Sequence, residues 1–324
     1  MGKGKGTERR RFMDEIMLKL DHTEKTVRTE LSDEELASAR LFAEKIDLQN
    51  RTMVLQYGIE AQRRVYRLSE SAHLAIPESD LNEVESLLKK LLSQLNAFEK
   101  EALSRKNPGL DGKEAFQRFH SLYDRFNSRM SECARRLDLL RSSLLRHIER
   151  LEGYSDSYLN IIREFDLYLY AGEVCLAENR SDIQPRLLEN AQKSGRMEDQ
   201  IILKNAAEDL QMFEKKLSDL SISRQLPVQI IAELRLIQGT DTVMAENLRR
   251  LILNIFPLYR HAIVIAMEQS GEQAVDPKQI KAADDTLRDA IQTVLKEENE
   301  KRLSQKEYAD AFHQSLKGSP GSAI

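Results

Sequence analysis

The sequence lacks tryptophan and has little cysteine. Its 324 residues contain no Trp, 6% aromatic residues and two cysteines, Cys133 and Cys175. If one helix holds both cysteines, they lie roughly 60 Å apart at 1.5 Å rise per residue, which is too far for a disulfide bond. We therefore expect two buried thiols that pack as small hydrophobic groups.

An excess of basic charge is also absent. The net charge is −4 and the isoelectric point is about 6.0, whereas nucleic-acid-binding domains are usually basic. Charged residues make up 31% of the chain and hydrophobic residues 41%. This high charge content favours long solvated helices over one large compact core.

Long apolar runs are missing as well. No run of eighteen apolar residues occurs, so we expect no transmembrane segment. The basic start, MGKGKGTERRRF, precedes no apolar stretch, so no secretory signal is expected. Myristoylation of Gly2 is not expected either, because Gly6 stands where the motif needs Ser or Thr. We expect a cytoplasmic protein, or one peripheral to the inner face of the membrane, with weak anionic-lipid contact through its N-terminal arm.

The most informative segment is free of proline between Pro108 and Pro185. Apolar and aromatic residues recur there at alternating spacings of three and four, which predicts a heptad seam along about 80 Å of helix. His147 is the one polar member. The seam consists of Phe116, Phe119, Tyr123, Phe126, Met130, Cys133, Leu137, Leu140, Leu144, His147, Leu151, Tyr154, Tyr158, Ile161, Phe165 and Tyr168.

Two further heptad sets follow, and no alternating β pattern is present. We predict an all-α fold, an elongated bundle of long antiparallel helices with coiled-coil-like heptad seams. Breaks are expected at 179–185, a break or kink at Pro227, and a bend at Pro257. The second set is Leu203, Ala206, Leu210, Phe213, Leu217 and Leu220. The third set is Ile230, Leu234, Ile237, Asp241, Met244, Leu248, Leu251, Ile255, Leu258 and Ala262.

Charge and turn signals divide the chain into three parts. Residues 1–31 form a predicted flexible basic or polar arm, 32–271 a helical core, and 272–324 a charged C-terminal helix with a frayed tail. The first core helix is expected to begin after Ser32, an N-cap followed by an acidic turn. Pro77 should kink or break the helix that contains it.

Motifs of catalysis and metal binding do not occur in the sequence. None of the six histidines has metal-ligand spacing, so we expect no catalytic residue, metal or cofactor. Acidic pairs such as Asp284-Asp285 are expected on solvated faces. His147 is expected to specify helix register, although helical drift can bring Ile148 into its place.

A polar surface is predicted on the helix around residue 230. Arg224, Gln229, Arg235 and Gln238 exceed what a plain seam needs. These side chains could make hydrogen bonds between helices, or they could recognise a partner or an anion. The residues alone favour the first reading.

Three segments resemble the TelA, or toxic anion resistance, family. The segment 213–259 resembles the family's signature of Arg, Gln and Pro-Leu residues. The segment 57–71 resembles the family's YGxxAQ segment, and the segment 144–172 resembles its helix with paired tyrosines. The segments occur in family order. The matching residues are Arg224, Gln229, Arg235, Gln238, Pro257 and Leu258, with Tyr57, Gly58, Gln62, Ala171 and Gly172 as family-motif structural positions.

The chain departs from the family pattern at four places. Tyr259 stands for the family's Trp, and Ala232 stands for a proline. A further departure is Gln238-Gly239-Thr240-Asp241 in place of the family's Gln-x-Asn, and the C-terminal helical extension is much shorter. The chain therefore resembles a short, divergent member. A function that resides in the extension would not transfer to it.

The resemblance implies an all-helical protein linked to tolerance of tellurite or of envelope-directed agents. We expect a non-enzymatic interaction protein that binds an unidentified protein partner. One alternative is direct oxyanion handling, in which Arg224 and Arg235 supply charge and Cys133 or Cys175 supplies electrons. The other alternative is a peripheral membrane or nucleic-acid binder that uses the arm at 3–11.

Overall fold

The computed structural model describes residues 31–73, 78–102, 112–271 and 275–318. Within these ranges the protein is an all-α helical bundle with no strand, which confirms the predicted fold class. The predicted arm, apart from Leu31, and Pro77 lie outside the described residues. The predicted domain boundaries stay a prediction.

The helices follow one another with short connections. They are α1 (Asp33–Ala43), α2 (Arg51–Gln56), α3 (Ile59–His73), α4 (Glu78–Ala102), α5 (Gly112–Glu178), α6 (Gln184–Ser194), α7 (Met197–Arg250), α8 (Phe256–Ser270) and α9 (Pro277–Gly318). Two π-helical turns, π1 (Asn179–Ile183) and π2 (Leu251–Ile255), join α5 to α6 and α7 to α8.

The helix α1 begins where the sequence predicts. The Ser32 hydroxyl accepts a hydrogen bond from the Glu35 backbone N–H, and the Glu35 carboxylate accepts one from the Ser32 N–H at 2.8 Å. This reciprocal capping box satisfies backbone donors that have no partner within the helix.

The predicted seam from Phe116 to Tyr168 lies within the single helix α5. Its members are buried, except for Phe116, Tyr154 and Tyr168, which are half-buried. The unbroken spacing of three and four therefore predicted that one helix contains these residues and which face it buries.

Proline shapes the two π-turns. Each π-turn ends two residues before a proline, Pro185 or Pro257. A proline at position i has no N–H for the carbonyl at i−4, so the chain widens to bonds between residues five apart. The N–H of Gln184 bonds the Asn179 carbonyl, and that of Phe256 bonds the Leu251 carbonyl.

The predicted interruptions need correction at two places. Helical structure continues from Asn179 through Ser194, with only a π-turn where a break was expected. The helix α7 also runs through Pro227 without interruption.

The π-turn π2 also corrects the third heptad set. The sequence placed Leu258 on the buried seam, but its side chain is 55% exposed. The extra residue of π2 moves the buried face one position along the chain. The buried residues are consequently Phe256, Tyr259 and Ile263, in place of Ile255, Leu258 and Ala262.

The chain divides into two compact units. The first unit contains residues 1–75 and 151–235, and the second contains 76–150 and 236–324. The second unit has one continuous core of α4, α5, the C-terminal part of α7, π2, α8 and α9, built on residues such as Leu88, Met130 and Leu287. The first unit buries Tyr158, Phe165 and Phe213 among its largest side chains.

Candidate functional site

The family-motif residues of the first unit gather where the turn before α3 meets α5 and α7. Tyr57 is buried, and its hydroxyl donates a hydrogen bond to the Tyr168 carbonyl at 2.7 Å. Its ring packs edge-on against Tyr168 and Phe213, with centroids 5.3 and 5.0 Å apart. Such aromatic contacts and a satisfied hydroxyl stabilise the junction of the three segments.

Two motif glycines allow this junction to close. Gly58 has φ +68°, and a Cβ there would lie 2.7 Å from Cδ1 of Leu220. Gly172, within α5, has ordinary helical geometry, but a Cβ there would overlap the end of Leu217. Gly58 is therefore required by both conformation and space, and Gly172 by close helix packing alone.

Gln62 and Ala171 complete the same framework. The Gln62 amide donates to the Ser223 hydroxyl at 2.7 Å, and Ser223 donates to the Asp219 carbonyl at 2.8 Å. Ala171 is fully buried. The motif residues near α3 and α5 thus lie at contacts between helices, and the structural role that the sequence assigned to them stays a prediction.

The four predicted binding residues do not share one environment. Arg224 is half-buried and forms a two-pronged ion pair with Asp166 of α5, with Nη2 3.2 Å from Oδ2. Arg235 is exposed, and Gln229 and Gln238 are half-buried. The binding role of this surface stays a prediction, and Asp166 already neutralises the Arg224 charge.

Asp166 was not predicted as the partner of Arg224. The only signal was an acidic residue directly after the seam position Phe165. Pro257 has a different setting from the other motif positions, because it is exposed at the start of α8.

The second unit buries a histidine–aspartate pair. His147 Nδ1 lies 2.5 Å from Asp241 Oδ2, and both side chains are about 95% buried. Within the described structure the other ring nitrogen of His147, Nε2, has no hydrogen-bond partner. These residues are the polar exceptions in their heptad sets, and the sequence alone did not pair them.

A second buried pair joins α8 to α9. The Tyr259 hydroxyl donates to Asp284 Oδ1 at 2.9 Å, and Asp284 is fully buried. Burial raises the pKa of Asp284 to about 7. The expectation that Asp284 lies on a solvated face was wrong, because α9 turns this position toward Tyr259, the residue in the place of the family's Trp.

Both cysteines are free and buried, as expected. Burial raises the pKa of Cys133 and of Cys175 to about 11. At neutral pH both are therefore thiols, which are poor nucleophiles and poor metal ligands. Among the residues that the structure describes, no group of three His, Cys, Asp or Glu side chains could hold a metal ion.

An apolar face points outward from π2 and α8. Leu253, Leu258, Val264 and Ile265 are 59%, 55%, 41% and 37% exposed. We call these four residues the α8 outer face. By length and composition the stretch Met197–Ser270 could cross a membrane: it contains an 18-residue window of mean hydropathy 1.4, of which 28% is buried.

The opposite side of α8 is packed into the second unit. Phe256, Tyr259, Ile263 and Ala266 are buried there. A spanning helix would have to leave this core and expose to water the apolar side chains of α4, α5 and α9 in the same cluster, at roughly 1.5–3 kcal/mol for each large one. The absence of a transmembrane segment remains a prediction, and this packing is consistent with it.

Comparisons with known proteins agree with the sequence resemblance. The family model described as toxic anion resistance protein (TelA) matches residues 39–293. The protein Lmo1967 of Listeria monocytogenes is 22% identical over 75% of this chain and 63% of its own length, and YaaN of Bacillus subtilis is 24% identical over 79% and 68%. A TelA-like protein of Staphylococcus haemolyticus is 24% identical over 81% and 69%.

The matched region therefore spans about two thirds of the length of these relatives. No solved structure matches the chain. The family model covers most of the described helices, including the first-unit framework and the two buried pairs of the second unit. The chain belongs to the TelA family of toxic anion resistance proteins.

Proposed function

We propose that this chain is a non-enzymatic helical interaction protein that contributes to resistance to toxic anions such as tellurite, or to envelope stress, by binding a protein partner. The observation that carries the proposal is the α8 outer face, whose four large apolar side chains are well exposed. Large apolar side chains exposed together on the outer side of one helix mark interaction sites more often than single surface leucines do.

The neighbourhood of this face favours a protein partner. His261 is exposed on the same helix, and Asn254 is exposed on π2. Polar groups within an apolar face suit a partner that offers hydrogen bonds beside apolar contacts. The buried side of α8 keeps the face rigidly presented, which lowers the entropic cost of binding.

The test compares surface variants in a strain that lacks the gene. Leu258→Lys/Ile265→Lys places two charges on the α8 outer face, and Leu55→Lys/Ile222→Lys places two charges at exposed positions of the first unit. In-cell crosslinking with mass spectrometry should retrieve a specific protein with wild type and with the first-unit variant. The α8 variant should lose that protein and restore tellurite survival no better than the empty vector does.

The proposal fails if deletion leaves survival unchanged on tellurite and on envelope-directed antibiotics, and wild type retrieves no specific protein. It also fails if the α8 variant behaves like wild type in both assays. Circular dichroism of each purified variant establishes that the helices are retained.

Direct oxyanion handling is the less favoured alternative. The two thiols are buried with raised pKa values, and Arg224 is already paired with Asp166. Titration of the purified protein with tellurite should give no binding heat and no loss of thiols. A stoichiometric loss of thiols would support this alternative.

Peripheral membrane attachment is a second candidate, because the apolar window around α8 is only 28% buried. We propose a cytoplasmic location, and attachment would place the protein at the inner membrane face. Co-sedimentation with phosphatidylglycerol vesicles tests this, since attachment through α8 predicts binding that Leu258→Lys/Ile265→Lys removes. Deletion of residues 1–12 tests the N-terminal arm, the other predicted contact with lipid or nucleic acid.

A further inference from the structure

A basic groove lies between α4 and α5 of the second unit. Its cavity volume is about 620 Å³, within the range of sites that hold a few side chains of a ligand. The two helices run antiparallel here, since Phe98 packs on Phe119 and Phe126 while Glu83 pairs with Arg136 farther along. The groove therefore follows the line where two helices meet.

The floor of the groove is apolar. Leu87 and Leu91 line it from α4, and Cys133 and Leu139 line it from α5. Leu139 is not a member of the heptad seam of α5, and its side chain is 63% exposed. An apolar floor with an exposed leucine leaves room for apolar side chains of another molecule.

Cations stand on both rims. Lys90 lies on the α4 side, and Arg129, Arg135 and Arg136 lie on the α5 side, with Glu132 as the one acidic residue among the described lining positions. Arg136 pairs with Glu83 at 2.5 Å. For Lys90, Arg129 and Arg135 the described residues supply no ion pair, so three charges are available to a ligand.

The local charge runs against that of the whole chain. The groove lining has four cationic residues and one acidic residue, whereas the chain as a whole has a net charge of −4. A concentrated positive rim in an acidic protein attracts an anionic partner and orients it.

We infer that the α4–α5 groove binds an acidic amphipathic helix of a partner protein. The partner helix places aliphatic side chains, spaced three or four residues apart, on Leu87, Leu91 and Leu139. Its carboxylates on either side of that stripe meet Lys90 and the arginines. The lining residues of α5 span 129–139, about 15 Å of helix or three turns, which suits a short helical segment.

A flat anionic membrane fits this geometry less well. The cations of both helices line the groove together with Leu91 and Cys133, which are buried, so lipid headgroups would reach the cations without contacting these two residues. A helix with an apolar stripe between acidic flanks contacts both at once. The inference rests on the proposed function, because it names the chemistry of the protein partner.

The test begins with a random helical peptide library displayed on phage and selected on the full chain. Enriched peptides should be acidic and carry aliphatic residues at spacings of three and four. One enriched peptide is then synthesised, labelled and titrated by fluorescence anisotropy. Arg129→Glu/Arg135→Glu should weaken its binding at least tenfold, and added salt should weaken wild-type binding progressively.

The matched control, Arg63→Glu/Arg186→Glu, reverses two arginines of the first unit that are 57% and 73% exposed. It should bind the peptide within twofold of wild type. If the double variant loses helix content, peptide binding by Lys90→Glu tests the groove instead. A scrambled peptide of equal charge should bind at least tenfold more weakly, because its aliphatic residues no longer form a stripe.

Three results would overturn the inference. The selection could enrich neutral or basic peptides, or no peptide at all; the groove variant could bind the peptide as tightly as wild type does; or the scrambled peptide could bind as tightly as the selected peptide. If no peptide is enriched, and wild type binds phosphatidylglycerol vesicles while the groove variant does not, the groove is a membrane-binding site. Leu258→Lys/Ile265→Lys should leave peptide binding unchanged. Failure of the groove is thereby separable from failure of the proposed function, which is read from the α8 variant and the deletion strain.

Discussion

The two units use polar side chains in opposite ways. In the first unit three motif side chains have partners at helix junctions: Tyr57 bonds a backbone carbonyl, Gln62 bonds Ser223, and Arg224 pairs with Asp166. In the second unit two buried pairs each leave one polar atom without a described partner, His147 Nε2 and Asp284 Oδ2. The exposed α8 outer face and the basic groove also belong to the second unit.

This difference shows that a family signature can mark residues that hold the fold together. The residues near α3 and α5 that make the chain recognisable form a satisfied framework, and such networks favour one arrangement of helices. The second unit combines internal polar pairs with open surfaces. We therefore expect substitutions in the first unit to act mainly through packing, and those in the second unit to act through charge.

The largest effect is expected at the His147–Asp241 pair. His147→Leu or Asp241→Leu alone should lower the free energy of unfolding by about 3–5 kcal/mol, because each leaves a buried polar group without its partner. The double variant should lie near wild type. Urea unfolding followed by circular dichroism measures all three.

The exposed pair Arg64–Glu164 of the first unit supplies the control for this comparison. Arg64→Gln should change the free energy of unfolding by only about 0–1 kcal/mol. If the two Leu substitutions at His147 and Asp241 simply add, the pair is not a coupled unit and the contrast between the units weakens.

The next effect is a pH dependence at Asp284. Its pKa in the folded protein is raised to about 7 from an ordinary value near 3.8, so the folded state retains a proton that the unfolded chain releases. The contribution of Asp284 to the free energy of unfolding is therefore lost as the pH rises from about 4 to 7. Asp284→Asn should remove roughly 2–3 kcal/mol of the decline in unfolding free energy between pH 5 and pH 7.

Urea unfolding at a series of pH values measures this slope for wild type and for Asp284→Asn. Asp285→Asn is the neighbouring control, since Asp285 is half-buried and accepts a hydrogen bond from Arg288 at 2.7 Å. Equal slopes for wild type and Asp284→Asn would show that Asp284 does not hold the proton.

A smaller effect is expected from packing in the first unit. Gly172→Ala should destabilise by about 1–2 kcal/mol, because the new Cβ overlaps the flexible end of Leu217. In a double-mutant cycle with Leu217→Ala, the combined loss should be smaller than the sum of the single losses. Strict additivity in urea unfolding would argue that the two residues do not determine the helix separation.

The smallest effect has the opposite sign. Gly153 lies in the same helix α5, and a Cβ there would have no neighbour within 4 Å. Gly153→Ala should raise the free energy of unfolding by about 0.5–1 kcal/mol, because alanine loses less backbone entropy in a helix. A loss of stability in thermal or urea unfolding would show that Gly153 has a contact role.

Helix positions were predictable where the signals were local. The Ser32 cap and the seam of α5 depend on residues within a few turns of one another, and both were confirmed. The consequences of proline were only partly predictable. Pro257 implied a local disturbance, but not that a π-turn would move the buried face from Leu258 to Tyr259.

The candidate site was less predictable than the helices. Arg224 stood out as unusual for a seam, yet nothing local indicated Asp166, which lies 58 residues earlier in the chain. Asp284 looked like half of a solvated acidic pair, because its neighbour Asp285 has the same charge. Its burial depends on Tyr259, which another helix supplies.

The sequence by itself determined the all-α fold of the residues that the structure describes, the face on which α5 buries a seam, and the family to which the chain belongs. These properties follow from periodicity and motif order, which neighbouring residues encode along the chain. Only the tertiary structure decided which polar residues meet, as His147 meets Asp241 across 94 positions. It also decided which apolar residues stay exposed, because the burial of a side chain is set by the helices that pack around it.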